Sequence, residues 1–211
     1  MGLEIETFVL GPIDNNTYLL ADTDTRQAVL IDPSFESDIV LERARSVGWE
    51  IRQIWLTHAH FDHIAGAQPA ALAFQPPLPI GLHPGDLELW NTGGNADLFG
   101  IQMEMILQPA IRFENGQQLQ LGNERIEVRH TPGHSPGHVV FVAPSACTAF
   151  CGDLVFKGSV GRTDLPGGSH ATLLESIRKH ILTLEPQTRL LSGHGPATTV
   201  ADEIRDNPFL S

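Results

Sequence analysis

The sequence is short of cysteine, of tyrosine and of positive charge, and each shortage narrows the field. Its two cysteines, Cys147 and Cys151, fall in "PSACTAFCGD", which reads as a strand. Four residues of strand span about 13 Å, beyond the roughly 7 Å across which two Cα atoms can be bridged. A disulfide framework is therefore excluded, and we expect two buried, reduced thiols in a cytoplasmic protein. Thirteen Lys and Arg stand against 25 Asp and Glu, a formal net charge of −12. That field disfavours a phosphate-backbone partner, although bound divalent cations would locally reverse its sign. No apolar run reaches membrane-spanning length. The opening "MGLEIETFVL" carries Glu4 and Glu6 without a basic region before an apolar run, so no export signal is expected either.

What is present fits one α+β domain spanning residues 1–211, since that length buries a sizeable core. Short β patterns predominate: "TYLLAD", "QAVLID" and "IRQIWLTH" in the first half, "RIEVRH", "HVVFVA", "TAFCGD" and "RLLSGH" in the second. Helical spacing appears in "SDIVLERARSVG", where Ile39, Val40, Ala44 and Val47 share a side, Ser37 is the candidate N-cap and Gly48 the stop. It recurs in "ATLLESIRKHIL" through Leu173, Leu174, Ile177 and Ile181. Pro69 suits a first helical turn, so "PAALAF" is expected to open a helix. Residues 75 to 110 show a proline-rich connector into a short strand and a glycine-rich loop, "NTGGNADLFG", without strong periodicity. Each half offers strands, then a His-bearing loop and a helix, a symmetry too weak to establish a repeat.

The chemistry concentrates in "THAHFDHIAG", which places His58, His60, Asp62 and His63 within six residues. Without a metal, three imidazoles so close would repel as they protonated. Neutral imidazole and carboxylate are the ligands that zinc, iron and manganese accept, and the residues do not choose among those metals. Three more candidates, His134, Asp153 and His194, each follow a strand and stand near Gly133, Gly152 and Gly193. One tetrahedral ion with a water position takes about three protein ligands, so these candidates exceed one site. Two ions sharing a bridging carboxylate, Asp153, account for all of them. Ions about 3.5–4 Å apart would hold a hydroxide between them and lower its pKa toward about 7. His83, His170 and His180 read as surface or capping residues. His130 and His138 read equally as partners of the ligands or as structural histidines.

Together "THAHFDHIAG", "HTPGHSPGH", "GDLVFKGSVGRTDLPGG" and "GHGPATT" resemble the metallo-β-lactamase superfamily, and most closely its short, glyoxalase II-like hydrolases. The resemblance implies a four-layer αββα sandwich with a dinuclear site at one edge of the paired sheets. It implies His58, His60 and His134 on one metal and Asp62, His63 and His194 on the other, with Asp153 between them. It also implies that Asp62 both binds metal and orients the nucleophile. The expected activity is hydrolysis of a small-molecule thioester such as S-D-lactoylglutathione. A thiolate leaves readily because its conjugate acid has a pKa of about 8.5, so little general-acid help is needed.

The sequence extends 17 residues beyond His194, too few for the family's C-terminal glutathione-binding helical domain, so that domain is not expected. Arg162 matches a family lysine that touches the glutathione glycine carboxylate, and with Lys157 it is the candidate substrate-binding residue; ordinary surface charges are the alternative. Asp164 stands near the family's glutathione-binding tyrosine, and the only tyrosine here is Tyr18. A second reading is a persulfide dioxygenase, whose relatives share "GRTD" at Gly161 to Asp164 and would hold one iron with His58, His134 and Asp153. A third is a metal-binding scaffold without turnover. Oligomeric state is not legible.

Overall fold

In the computed structural model, which describes residues 2–210, two six-stranded sheets face each other. The first consists of β1 (Leu3–Leu10), β2 (Asn15–Asp22), β3 (Gln27–Ile31), β4 (Glu50–Trp55), β5 (Ile80–Leu82) and β6 (Ile111–Arg112), in that spatial order. The second is ordered β14-β13-β10-β9-β8-β7, from β7 (Gln118–Leu121), β8 (Glu124–His130), β9 (Val139–Ala143), β10 (Thr148–Gly152), β13 (Arg189–Ser192) and β14 (Thr198–Thr199). A separate hairpin joins β11 (Val155–Phe156) to β12 (Ser159–Val160). Helices α1 (Asp38–Val47), α2 (Phe61–Ile64), α3 (Ala67–Leu72) and α4 (Leu87–Asn91) belong to the first half, α5 (His170–His180) and α6 (Val200–Asp206) to the second.

The layering follows from strands that are apolar on both faces. Along β2, Tyr18 and Leu20 point between the sheets while Leu19 and Ala21 point toward the helices, and β3 divides Val29 and Ile31 from Ala28 and Leu30 in the same way. In β9, Val139 and Phe141 face the first sheet and Val140 and Val142 face α5. A strand buried on both faces reads as a continuous apolar run, as these do. Three cores result: helix on sheet around Leu30, Ile54 and Ala44; sheet on sheet around Trp55, Phe141 and Phe150; sheet on helix around Val142, Leu173 and Ile177. Each fully buried Leu, Ile or Phe contributes about 1.5–3 kcal/mol, and the α, β, β, α order is the expected one.

Parallel pairing positions the site. β3, β4, β5 and β6 run parallel in succession, with α1 crossing between β3 and β4, and β10 pairs parallel to β13 across α5. Such strands end on the same side of their sheet, where ligands of open α/β sheets gather.

Several local expectations are corrected. Helix α1 buries Val40, Leu41 and Ala44, not Ile39, which is 48% exposed; the packed stripe is turned one residue onward. Ser37 is helical in backbone and makes no side-chain cap; its hydroxyl donates instead to the Ser34 carbonyl at 2.5 Å. Gly48 is the left-handed stop predicted, at φ 74°. Helix α3 begins two residues before Pro69, which sits in its first turn. Both cysteines are free thiols, but only Cys151 is buried; Cys147 occupies a left-handed turn before β10 and is partly exposed. Among the described residues no helix is long and apolar enough to cross a membrane.

Candidate metal centre

The seven nominated residues arrive at one sheet edge from five segments. His58 and His60 lie just beyond β4, whereas Asp62 and His63 stand on the single turn α2 rather than on the loop predicted for them. His134 is on the loop from β8 to β9, Asp153 directly follows β10 and His194 follows β13. Glycines permit this closeness. Gly152 adopts φ 46°, and a Cβ there would strike Thr57 and His138; a Cβ on Gly193 would strike the Asp153 carboxylate and the His63 ring.

Two triads of ligand atoms form. In one, His60 Nδ1 lies 2.8 Å and His58 Nε2 3.2 Å from His134 Nε2. In the other, Asp62 Oδ2 lies 3.1 Å from His194 Nε2 and 3.3 Å from His63 Nε2. Asp153 reaches both, with Oδ1 3.4 Å from His63 Nε2 and Oδ2 3.7 Å from His134 Nε2. This is the sharing arrangement expected of a bridging carboxylate. Lys157 is exposed on the β11–β12 turn beside the cleft, and Arg162 is among the residues that line the cleft.

The far nitrogens fix the tautomers. His134 Nδ1 donates to the Arg162 carbonyl at 2.8 Å, and His194 Nδ1 faces the carbonyls of Ile13 and Asp14 at 3.1 and 3.2 Å. His63 Nδ1 donates to Asp32 Oδ2 at 3.0 Å. The Thr57 hydroxyl donates to Asp32 Oδ2 at 2.6 Å and so accepts from His58 Nδ1 at 3.0 Å. Each of these four rings therefore keeps a proton on Nδ1 and turns Nε2 toward the centre, so that its neutral form presents there the lone pair a divalent metal takes. His60 Nε2, His63 Nε2 and Asp153 Oδ1 are buried without a hydrogen-bond partner. Orphaned buried polar atoms are costly, and ligand atoms converging beside three such orphans are what a pair of divalent ions would satisfy. The donor set fits zinc, iron or manganese.

Charge divides the triads. Burial and the rings of His63 and His134 push His58 well below the ordinary imidazole value, and burial with His134 pushes His60 down to about 3. Burial would lower His63 too, but Asp62 and Asp153 raise it well above that value; His194 also rises, burial being overcome by its Asp62 hydrogen bond. For Asp62 and Asp153, burial works upward and His63 outweighs it, so both carboxylates are held ionised. Burial pushes the Cys151 thiol up, which leaves it inert as a nucleophile.

Residues that sequence reasoning did not nominate hold the frame. Asp32, buried at the end of β3, accepts from Thr57 N at 2.7 Å as well as from the Thr57 hydroxyl and His63. It also joins His58 and His63 in a third close grouping, but its oxygens are already taken up by those donors. Buried Asp86 accepts from Ala59 N at 3.0 Å, Ser135 Oγ at 2.7 Å and Gly137 N at 2.5 Å, tying the His58–His60 loop to the His134 loop. Asn16 and Tyr18 both donate to the Ser192 carbonyl, at 2.9 and 2.6 Å, which anchors the His194 segment. The available signal was an aspartate closing an apolar strand, in "QAVLID". His138 is buried, bonds Thr131 Oγ1 at 2.9 Å and packs beside His58 with ring centroids 5.2 Å apart, and His130 bonds the Pro136 carbonyl at 2.9 Å and stacks on His83. His83 accepts from Gly85 N as a cap, while His170 and His180 open and close α5.

The centre forms the floor of a cleft of about 460 Å³ whose remaining walls include Ile13, Phe61, Phe99, Phe156, Val160 and Leu165. The glycine-rich loop builds one wall: Gly94 accepts from Phe61 N at 3.0 Å, and Phe99 packs on Phe61 with ring centroids 4.9 Å apart. The hairpin of β11 and β12 builds the opposite wall. Its turn is held by buried Glu203, which accepts from Gly158 N at 3.0 Å.

Comparison with known proteins agrees with this geometry. The chain is 33% identical over 221 residues to a hydroxyacylglutathione hydrolase, GloC, of Haemophilus influenzae, covering 99% of each. Among solved structures it resembles TTHA1623 in a di-iron-bound form (41% identity, TM-score 0.88, 97% of this chain and 100% of that one). It also resembles the BLEG-1 B3 metallo-beta-lactamase (36% identity, TM-score 0.92, 99% and 100%). Residues 10–194 match the family described as the metallo-beta-lactamase superfamily, a family of divalent-metal enzymes with this fold, and the chain belongs to it.

Proposed function

We propose that the protein is a dinuclear metal-dependent hydrolase of thioesters. The observation that carries the reading is the second triad: Asp62, His63 and His194 converge beside Asp153, which a single-ion site using His58, His134 and Asp153 would leave without a role. His58, His60 and His134 would hold one ion, Asp62, His63 and His194 the other, and Asp153 both. Divalent ions there supply Lewis acidity to a carbonyl and bring the pKa of water toward about 7. Asp62 is held ionised at the cleft floor by His63 and His194, so its carboxylate can accept a hydrogen bond from attacking water and orient it. His134 is kept in one tautomer by the Arg162 carbonyl, and His63 by Asp32. Among the described residues lining the cleft, those outside the centre include no carboxyl, tyrosine or histidine to protonate a departing amine, which favours a thiolate leaving group over an amide nitrogen. The likeness to GloC, a hydroxyacylglutathione hydrolase, supports the same chemistry.

The test is anaerobic release of thiol from S-D-lactoylglutathione and from a neutral acyl thioester, using protein whose bound metals have been counted. Two metals per chain with thiol release are expected, and Asp62→Ala should lower kcat by at least about 100-fold. Wild-type turnover in Asp62→Ala at unchanged metal content would refute the role given to Asp62. One iron per chain with oxygen-dependent consumption of a persulfide would replace the reading with the dioxygenase. A cephalosporin hydrolysed faster than any thioester would replace the substrate class.

A further inference from the structure

The walls of the cleft have a chemistry of their own. Six side chains above the centre are apolar: Ile13, Phe61, Phe99, Phe156, Val160 and Leu165. Two of them, Ile13 and Phe99, remain 48% and 50% exposed at the mouth, and neighbouring Leu98 is 59% exposed. Among the described lining residues the one Lys or Arg is Arg162. Its guanidinium is already engaged: Nε and Nη2 donate to the two oxygens of Asp164, each at 2.8 Å, in the fork-to-carboxylate geometry that a substrate carboxylate would otherwise use.

Building on the thioester-hydrolase reading, we propose that the cleft takes a neutral thioester with an apolar acyl chain, and that Asp164 sets this selectivity by occupying Arg162 against carboxylate-bearing substrates. The acyl chain would lie against Phe61, Phe99 and Phe156. A substrate carboxylate approaching the Nε and Nη2 edge of Arg162 must displace Asp164, and one approaching the Nη1 side meets the negative charge of Asp164 beside it. Both side chains are more than half exposed, 53% for Arg162 and 68% for Asp164, so either can be replaced without opening the core.

Binding and turnover are measured on the metal-loaded protein with two matched ligand pairs. The binding pair consists of the S-hexyl thioethers of N-acetylcysteamine, which is neutral, and of 3-mercaptopropionate, which carries a carboxylate; titration calorimetry gives each Kd. The turnover pair consists of the hexanoyl thioesters of the same two thiols. In the wild type the neutral member is expected to be favoured in both pairs. Shortening the acyl or alkyl chain should weaken either member about fourfold per methylene. Asp164→Asn should move the neutral-to-acid ratio about fivefold toward the acid, the worth of one freed, partly exposed charge pair. Adding Arg162→Met to Asp164→Asn should restore the wild-type ratio.

A ratio unmoved by Asp164→Asn, or affinity that ignores chain length, overturns the proposal even if thioesters are hydrolysed. The expected binding pattern without turnover of either thioester leaves the cleft assignment standing and removes the hydrolase reading instead.

Discussion

Replacing Asp32 by Asn tests how the protein keeps its imidazoles ready for metal, because that one carboxylate controls a proton in each triad. Its Oδ2 accepts from the Thr57 hydroxyl at 2.6 Å and from His63 Nδ1 at 3.0 Å. Asp32→Asn keeps the volume but turns one acceptor oxygen into an NH2 donor. With the new NH2 in the Oδ2 position, the hydroxyl must reverse and donate to His58 Nδ1, now 3.0 Å away as a donor to it. The His58 proton then moves to Nε2, where it faces the centre, and His63 loses the acceptor that kept its own proton on Nδ1. One ligand in each triad would present N–H in place of a lone pair. Loss of such an outer partner costs about 10–100-fold in metal affinity, or about 1.4–2.7 kcal/mol per ion. Competition with a chromophoric chelator gives both dissociation constants, with circular dichroism verifying the fold. Thr57→Val is the internal contrast, since it disconnects His58 while leaving the His63 to Asp32 bond, so only one constant should weaken. Two wild-type constants in Asp32→Asn would refute the proton-placement argument.

Gly193→Ala should reduce turnover by more than tenfold with little change in far-ultraviolet dichroism, because the added methyl collides with Asp153 and His63 and not with the core; steady-state kinetics decide. Phe150→Ala should lower stability by about 3–5 kcal/mol in urea denaturation, since Phe150 is fully buried between the sheets and packs edge-on to Tyr18 with centroids 5.2 Å apart. Metal uptake should release protons near pH 7 and tighten as pH rises. His63 and His194 have raised pKa values in the metal-free protein, and a metal requires their neutral form, so bound protons compete below those values and cease to compete above them. Calorimetry in buffers of different ionisation enthalpy counts the protons, and a pH-independent affinity across neutrality would contradict the assignment.

The candidate ligands were legible because each sits in a short local pattern, His and Asp beside Gly at a strand end, and such patterns survive without knowledge of the fold. The two-faced strands were legible as apolar runs for the same reason. Asp32 and Asp86 were not, because their meaning lies in partners 25 to 51 residues away and in backbone amides that carry no sequence signal. The stretch from 101 to 110 resisted reading for another reason. Its backbone is held largely by one side chain, Gln68, which accepts from Ile106 N and Leu107 N at 2.6 and 2.8 Å and donates to the Glu104 carbonyl at 2.7 Å. A segment fixed by a distant amide needs no periodicity of its own. Asp62 and His63 were placed on a loop because a single helical turn is too short to show a helical period.

The Asp86 bridge has a consequence for how the centre comes into being. Each triad draws on both halves of the chain: His58 and His60 meet His134 from beyond β8, and Asp62 and His63 meet His194 from beyond β13. Neither half alone owns three donors of either triad. Asp86 fastens the two ligand loops with a carboxylate and three donors, so the halves are already in register before any ion arrives. Ions bound there would act as rivets across a seam, and tight metal uptake would report that both halves of the chain have folded and closed on each other.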